Sequence, residues 1–400
     1  MTASSPRSIL PALTPEEQRH SRAVAALIDE ALRAAGGWLS FERFMELALY
    51  APGLGYYSAG STKLGAGGDF VTAPEVSDLF GRCLARQCAA VLAVTGGDIL
   101  ELGAGTGRMA AVLLGELAAQ GLLPGRYAIL EVSADLAARQ RERIAQLPAA
   151  QRERVVWLGR LPQRPLRGVI LANEVADALP CRRFAWHAAG VTELGVARGA
   201  GSPAGEVITF REEGRPADAA LAQACTALLA TLPAPLPEGY TSELCLRVAP
   251  WIASLADCLE RGLLLLTDYG LPRAHYYHPQ RSSGTLRCHF RQRAHDDPYI
   301  NTGVQDITAW VDFTRVAAAA AAAGLDVSGF ATQAALLLAL GIEQLVAAAA
   351  PGATQARLAG EARRLLMPEE MGEAFKAMAL TRGIEGPLEG FALQDLRHLL

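Results

Sequence analysis

The stretch DILELGAGTGRMAAVLLGEL, residues 98–117, decides the fold because it joins an apolar run, a glycine-rich segment and a helical pattern without interruption. DILEL predicts a short buried strand, and the apolar residues after Arg108 recur at the spacing of one helix face. Between them, Gly103, Gly105 and Gly107 permit a tight turn and leave room for a ligand beside the N–H groups of the helix N-terminus. The stretch predicts a ligand-binding loop, with a purely structural glycine turn as the alternative.

Further apolar runs continue this pattern along the chain. In chain order they are DILEL, YAILEV, VVWL, GVILA and GLLLLTD, all between residues 97 and 268. They are separated mostly by helix-like stretches, which is typical of parallel strands joined by crossover helices. LDVSGF and FKAMALTRG add two later strands. The sequence therefore predicts a doubly wound α/β sheet, with ligand-binding loops at the carboxyl ends of its strands.

The composition limits the classes of function. The chain has 400 residues, of which 51% are hydrophobic and 20% charged, as in an ordered globular protein. Lys and Arg number 37 against 41 Asp and Glu, so a nucleic-acid partner is not expected. The apolar stretches are short and the N-terminus lacks a secretory pattern, so we expect a cytoplasmic protein without membrane insertion. The cysteines do not occur in a CxxC motif and the histidines do not occur in an HExxH motif, so a metal site is not expected.

The spacing of the glycines narrows the choice of cofactor. Dinucleotide-binding loops use GxGxxG, whereas this loop is GxGxG, a pattern that resembles motif I of the class I methyltransferases, which bind S-adenosylmethionine. Glu101, just inside the strand end, can orient a cationic or hydroxyl-bearing part of such a ligand. Glu131 ends the second strand, where a carboxylate can accept both ribose hydroxyls, although it could instead cap the helix that follows.

The fourth strand ends in LANEVADALP, which places Asn173, Glu174 and Asp177 at the carboxyl edge of the sheet. These side chains could hold the methionine ammonium of the cofactor, or orient a guanidinium or amine toward the methyl group. Asp268 occupies the corresponding position after the fifth strand. A solvated polar turn is the alternative, since Asn and Asp are ordinary turn formers.

The segment GDFVTAPE precedes the predicted sheet and carries Asp69, Thr72 and Glu75 around a rigid proline. Such a polar loop could close over the cofactor, and we predict cofactor contacts for Asp69 and Thr72. The alternative is a capping loop whose acidic residues only favour the dipole of the following helix.

The chain resembles the MidA family, relatives of a mitochondrial complex I assembly methyltransferase, from about residue 37 onward. The resemblance rests on SFERFMELALYAPGLGYY, GDFVTAPEVSDLFG, ILELGAGTGRMA, LEVSADLAARQ, ILANEVADALP, LLLTDYG, GTLRCHF, DPYINTGVQDITAWVDF and GEAFKAMALTRG. Two departures are visible, because Val175 and Ala176 replace a frequent aromatic pair and Cys288 and His289 follow GTLR.

This resemblance implies a class I, Rossmann-like methyltransferase fold with a mostly parallel seven-stranded sheet. It implies S-adenosylmethionine as cofactor, bound at Glu101, Gly103, Gly105 and Glu131. For the mitochondrial relatives it implies methyl transfer to arginine of a protein, so we expect a protein substrate, with a respiratory complex I subunit as one candidate. A homodimer is compatible with the sequence.

Three further functions stay open beside protein arginine methylation. They are methylation of a small molecule, an NAD-dependent oxidoreductase reaction, and an assembly or scaffold role that keeps the cofactor loop with little catalysis.

The predicted organisation has four segments. They are an N-terminal helical, cofactor-covering segment (1–96), the first part of the methyltransferase core (97–182), an inserted substrate-recognition subdomain with a hairpin and helices (183–250), and the second part of the core (251–400).

Overall fold

The computed structural model of the chain describes residues 10–59, 72–199 and 207–400. Its helices are α1 Pro15–Ala34, α2 Phe41–Tyr50, α3 Ala73–Val76, α4 Asp78–Thr95, α5 Arg108–Ala119, α6 Ala134–Ala145, α7 Ala149–Arg152, α8 Ala219–Leu229, α9 Val248–Asp257, α10 Arg273–Tyr276, α11 Phe313–Ala322, α12 Gln333–Ala339, α13 Ile342–Ala347 and α14 Ala353–Leu366. Its strands are β1 Trp38–Ser40, β2 Asp98–Leu102, β3 Tyr127–Leu130, β4 Val155–Leu158, β5 Leu166–Asn173, β6 Arg182–His187, β7 Gly190–Arg198, β8 Phe210–Pro216, β9 Tyr240–Leu244, β10 Leu259–Leu271, β11 Arg287–Phe290, β12 Arg293–His295, β13 Asp306–Thr308, β14 Val311–Asp312, β15 Asp326–Thr332 and β16 Phe375–Arg382.

The chain forms two compact units, each built from three separate segments. The first unit comprises the described residues of Met1–Phe70, Ala178–Arg247 and Arg273–Trp310. The second unit comprises those of Val71–Asp177, Val248–Pro272 and Val311–Leu400. The predicted segment boundaries at residues 96, 182 and 250 stay a prediction.

The second unit contains the sheet that the sequence predicts. Its strands lie in the order β15, β16, β10, β5, β2, β3, β4, and β14 pairs beside β10. The pairs from β10 to β4 are parallel, and β16 is antiparallel to both of its neighbours. All seven predicted apolar runs are strands of this sheet, so the mostly parallel, seven-stranded, doubly wound architecture is confirmed.

The strand order reverses between β2 and β5. The chain moves outward from β2 through β3 to β4 and then returns to β5 on the other side of β2. The connections diverge at this point, which leaves a crevice at the carboxyl ends of β2 and β5 where open α/β sheets bind their ligands. The glycine loop follows β2 and the NEVAD turn follows β5, so both flank this crevice.

The core of the second unit lies between the sheet and its helices. Leu79 and Phe80 of α4 and Leu113 of α5 are fully buried against apolar side chains of the central strands, such as Ile99 and Val169. Burial of apolar surface on both faces explains why these strands read as continuous apolar runs rather than alternating ones. A rigid core on both sides of β2 and β5 holds the loops at their ends in place.

The first unit carries the N-terminal helices and two antiparallel sheets. Thr14 caps α1 in a capping box with Glu17, and Ser40 caps α2. One sheet has the order β1, β7, β6, β9 with β8 beside β7, and a second joins β12, β11 and β13.

The predicted insertion contributes most strands of the first of these sheets. A hairpin of β6 and β7 closes at His187 and Gly190, and α8 and β9 follow later in the same segment. Residues 210–214 of the segment GEVITFREEG lie in β8, which pairs with β7; residues 205 and 206 lie outside the part of the chain that the structure describes. Within that part, no helix is both long and apolar enough to cross a membrane.

Candidate functional site

The glycine loop connects β2 to α5 through backbone conformations that favour glycine. Gly103, Gly105 and Gly107 have φ of 59°, 54° and 78°, all in the left-handed region. Gly107 is the residue before α5, and a Cβ there would lie 3.2 Å from the Cα of Gln140. A side chain at Gly107 would therefore crowd α6 and force a shift of a few tenths of an ångström. The N-terminus of α5 lies at the crevice beside β2.

Glu131 follows β3 and is held by two hydrogen bonds. Its Oε1 accepts from the backbone N–H of Ser133 at 2.9 Å, and its Oε2 accepts from Nε2 of Gln140 at 2.9 Å. Ser133 itself caps α6 by accepting from the N–H of Leu136. Ser133, rather than Glu131, therefore supplies the side-chain cap of α6, and the Glu131 carboxylate is oriented at the end of β3.

Glu101 lies one strand away from Glu131 and is only 1% exposed. Its Oε2 accepts a hydrogen bond of 2.7 Å from the hydroxyl of Tyr127. Burial raises the pKa of Glu101 to about 7; the Tyr127 bond opposes this rise, and the negative charge of Glu131 adds to it. The structure therefore places Glu101 inside the sheet, at the base of the glycine loop, in contact with Tyr127.

The NEVAD turn after β5 is organised around Asp268 of β10. Oδ2 of Asp268 accepts from the backbone N–H groups of Val175, Ala176 and Asp177, at 3.2, 2.9 and 3.2 Å. Burial, followed by the charges of Asp177 and Glu174, raises the pKa of Asp268 well above its usual range, against the opposing effect of the amide bonds. Asp268 is 1% exposed, so the structure places it beneath the turn as its anchor.

Glu174 lies at the top of this turn with φ of 52°, a conformation that non-glycine residues rarely adopt. Its backbone N–H donates to the carbonyl of Thr267, which anchors the strained residue to β10. Its Oε1 accepts from the backbone N–H of Ala73 and from Nδ2 of Asn173, each at 3.2 Å. Strained residues that the surrounding structure fixes cluster at functional sites, which makes Glu174 the leading candidate in the turn.

The other two predicted catalytic residues are held by neighbours on β10. Oδ1 of Asn173 accepts from the hydroxyl of Thr267 at 2.7 Å. Asp177 is 5% exposed, and its Oδ2 accepts a short hydrogen bond from the Tyr269 hydroxyl. The turn therefore presents Glu174 and Asn173 more openly than Asp177.

The segment before α4 is attached to the glycine loop. Oε1 of Glu75 accepts from the hydroxyl of Thr106 at 2.5 Å, and the carbonyl of Glu75 accepts from the guanidinium of Arg108 at 2.7 Å. Thr72 precedes α3, and its side chain makes no capping bond. Asp69, predicted to contact the cofactor, lies outside the described residues.

These residues fit a nucleoside cofactor with a cationic end. Glycines in left-handed conformations leave the loop backbone open to close approach, and the Glu131 carboxylate at the next strand end suits vicinal hydroxyls. The Cβ of a side chain at Gly103 would lie 3.6 Å from Val175, so the glycine loop and the NEVAD turn touch. The glycine loop is therefore linked both to the turn that carries Glu174 and, through Gln140, to the Glu131 carboxylate.

Comparison with known proteins agrees with this geometry. A family model described as "Putative S-adenosyl-L-methionine-dependent methyltransferase" matches residues 83–331, more than half of the chain. The chain belongs to this methyltransferase family. The resemblance to the MidA family and the prediction of an S-adenosyl-L-methionine-dependent methyltransferase are thereby confirmed.

Solved structures support the same assignment for the whole chain. A crystal structure of a superfamily member from Burkholderia thailandensis, bound to S-adenosyl-homocysteine, is 42% identical. The match covers 98% of this chain and 100% of that one, with a TM-score of 0.90. A native crystal structure from the same organism is also 42% identical, with a TM-score of 0.87. S-adenosyl-L-methionine is therefore the cofactor of this methyltransferase.

Curated relatives are more distant. "Protein arginine methyltransferase NDUFAF7, mitochondrial" from Danio rerio is 27% identical over 86% of this chain and 83% of its own length. The Drosophila melanogaster homologue is 28% identical over 87% of this chain and 82% of its own length.

Sequence reasoning missed three residues that shape this site: Tyr127 beside Glu101, Gln140 beside Glu131, and Thr106 inside the glycine loop. Tyr127 is the first residue of the run YAILEV, and a tyrosine at the start of a buried strand is the sequence signal that could have identified it. Gln140 lies in an otherwise ordinary helical pattern, where its burial is decided only by tertiary packing.

In the described part of the chain, no group of three or more His, Cys, Asp or Glu is arranged to hold a metal ion.

Proposed function

We propose that this methyltransferase transfers its methyl group to an arginine side chain of a protein. The observation that carries the proposal is Glu174, whose backbone is strained and whose carboxylate is held by Ala73 and Asn173 in the turn that contacts the glycine loop. Two curated relatives at 27% and 28% identity are named protein arginine methyltransferases, which supports the same acceptor. A respiratory complex I subunit is one candidate substrate.

The cofactor is proposed to bind between the glycine loop and Glu131. The left-handed glycines leave the loop backbone accessible, and Glu131 accepts the ribose hydroxyls at the end of β3. Val132, which is 67% exposed, offers an apolar surface beside Glu131 for the base. We further propose that Glu101 supports the loop from inside the sheet and that Thr72, the residue before α3, contacts the cofactor.

Glu174 is proposed to orient the acceptor. A guanidinium carries its positive charge at all ordinary pH values and forms paired hydrogen bonds with a carboxylate. When bound, S-adenosylmethionine would supply a methyl group on a positively charged sulfur. The acceptor nitrogen would bond to that methyl group as the C–S bond breaks, S-adenosylhomocysteine would leave, and the nitrogen would lose one proton to water. Asn173 fixes the Glu174 carboxylate, and Asp177 with Tyr269 stiffens the following turn. Fixed alignment of this kind contributes much of the rate of a displacement reaction.

The test is to incubate the purified protein with a radiolabelled methyl donor and a lysate from a strain that lacks this protein. Labelled species are then identified by mass spectrometry, with Glu174→Gln as the matched control protein. We expect label on arginine side chains of one or a few proteins, and little label with the variant. Label confined to small molecules or RNA would overturn the protein substrate, and absence of all label would favour a binding role without catalysis.

A further inference from the structure

Gln140 of α6 is fully buried, yet its amide group is bonded at both ends. Its Nε2 donates to the carbonyl of Gly105 and to Oε2 of Glu131, both at 2.9 Å, and its Oε1 accepts from Nε1 of Trp157 at 3.0 Å. Its exposed fraction is 0%. One side chain thus joins the glycine loop, the acid after β3 and the strand β4.

Trp157 decides which way this amide faces. An indole N–H can only donate, so the oxygen of the Gln140 amide must be the atom that points toward Trp157. The amide nitrogen, which carries two N–H groups, then faces two acceptors, the Gly105 carbonyl and the Glu131 carboxylate. All three contacts fit only this orientation. The arrangement is therefore specified by donor and acceptor chemistry as well as by shape.

Packing holds Gln140 against the loop at a second point. A Cβ at Gly107 would lie 3.2, 3.3 and 3.4 Å from the Cα, Cγ and Cβ of Gln140, so the loop backbone rests directly on this residue. Gly107 is also the N-cap residue of α5. Gln140 consequently contacts the loop at Gly105 through a hydrogen bond and at Gly107 through van der Waals packing.

We propose that Gln140 is a positioning residue that sets the distance and orientation between the glycine loop and Glu131, and thereby the affinity for S-adenosylmethionine. The inference rests on the proposed cofactor site at these two elements. Gln140 is buried beneath them, so it acts through the carbonyl of Gly105 and the carboxylate of Glu131. A single amide group thus joins the two walls of the proposed cofactor site.

Replacement of the amide by a carboxylate tests the role directly. In Gln140→Glu, an oxygen takes the place of the nitrogen that faces the Gly105 carbonyl and the Glu131 carboxylate. The new oxygen can donate to neither of these two acceptors. The new carboxylate also places a second negative charge beside the Glu131 carboxylate in a buried position. When the new carboxyl is protonated it can again donate one hydrogen bond, so the defect should diminish as the pH falls.

The measurement is calorimetric titration of the full chain with S-adenosylhomocysteine at about pH 6 and about pH 8. We expect Gln140→Glu to bind roughly tenfold more weakly than the native protein at the higher pH, with a smaller ratio at the lower pH. Gln146→Glu is the matched control, because Gln146 follows the same helix and is exposed, and it should bind like the native protein.

Two further variants keep the test decisive. Trp157→Phe retains the amide but removes the donor that orients it, and should weaken binding roughly threefold in a protein that stays folded. Glu131→Gln tests the cofactor site itself. Native affinity in folded Gln140→Glu and Trp157→Phe proteins, together with weakened binding in Glu131→Gln, would overturn the positioning role alone. Native affinity in all three variants would overturn the cofactor-site assignment as well.

Discussion

Tyr127 donates its hydroxyl hydrogen to the carboxylate of Glu101 over 2.7 Å, in the interior of the sheet just before the glycine loop begins. Burial raises the pKa of Glu101 to about 7, although the Tyr127 bond favours the ionised form. The carboxyl group of an unfolded chain has a lower pKa, near its ordinary value of 4.5. Ionisation of Glu101 at neutral pH is therefore a cost to the folded state.

This cost predicts a pH-dependent effect of Glu101→Gln. Between the two pKa values the folded protein binds more protons than the unfolded chain, so stability contributed by this group falls as the pH rises from about 4.5 to about 7. We expect Glu101→Gln to be more stable than the native protein at about pH 8, by an amount on the order of 3 kcal/mol, and nearly equal to it at about pH 5. Urea unfolding at both pH values measures the difference.

An exposed glutamate provides the control for this experiment. Glu260 lies on β10 of the same unit and is exposed, so Glu260→Gln should change stability little at either pH. A stability difference for Glu101→Gln that is the same at both pH values would contradict the raised pKa.

The glycine loop gives a second prediction, from Gly103. Its φ of 59° is strained for any residue with a Cβ and most of all for a β-branched one. The space beside it is ordinary, since a Cβ would contact Val175 at 3.6 Å. We expect Gly103→Val to lose measurable binding of S-adenosylhomocysteine in calorimetric titration while it keeps a cooperative unfolding transition, because the loop backbone shifts but the sheet does not depend on it.

Gly115 is the matched control for Gly103. It lies inside α5 with no atom within 4 Å of an added Cβ. Gly115→Ala should therefore bind S-adenosylhomocysteine normally and gain up to about 1 kcal/mol from helix propensity. Unchanged affinity in a folded Gly103→Val protein would show that the cofactor lies elsewhere.

Asp268 gives a third prediction, which concerns the NEVAD turn. Its carboxylate accepts from three successive backbone N–H groups, so Asp268→Ala leaves buried donors at Val175, Ala176 and Asp177 without this partner. We expect a loss of about 3 to 5 kcal/mol in unfolding free energy and a large fall in kcat, since the turn that holds Glu174 loosens. Urea unfolding and methyl-transfer assays measure the two effects.

An exposed aspartate separates the turn from general effects of charge. Asp257 ends α9 and is exposed, so Asp257→Ala should change stability by less than about 0.5 kcal/mol and leave turnover unchanged. Turnover at the native level in Asp268→Ala protein would show that the conformation of the turn is not needed for catalysis.

The sequence predicted the strands and the glycine loop because these features are local. Parallel strands buried on both faces appear as uninterrupted apolar runs, and the loop needs glycine wherever φ is positive. General rules of α/β connection predicted an open sheet with ligand-binding loops at the carboxyl ends of its strands, whereas the strand order was known only from the structure. For these reasons the position of the candidate site at the strand ends was predictable.

Burial of individual acidic residues was not predictable from the sequence. Asp268 and Glu174 each come at the end of an apolar run and look alike in the sequence, yet Asp268 lies within β10 beneath the turn while Glu174 follows β5 in a strained backbone conformation. The difference depends on which side chain reaches the amides of the NEVAD turn, a long-range contact between β10 and β5. The amide network of Gln140 depends likewise on contacts with β4 and the glycine loop.

Glu174 gives the last prediction, because its strained backbone and its charge can be tested separately. Glu174→Gln keeps the shape of the side chain and an oxygen that can accept from Ala73, but it removes the negative charge. We expect native affinity for S-adenosylhomocysteine and a fall in kcat of at least about a hundredfold, since the charge matters for alignment of a cationic acceptor in the transition state.

The backbone variant Glu174→Gly relieves the cost of φ at 52° and removes the carboxylate, so it should be as inactive as Glu174→Gln without a loss of stability. Calorimetric titration, urea unfolding and turnover with arginine-containing substrate are compared for the two variants and for Glu260→Gln. Weakened cofactor binding in Glu174→Gln would reassign Glu174 to the ammonium group of the methionine moiety. Native turnover together with native affinity would exclude a role for Glu174 in either step and leave Asn173 and Asp177 as the candidates in the turn.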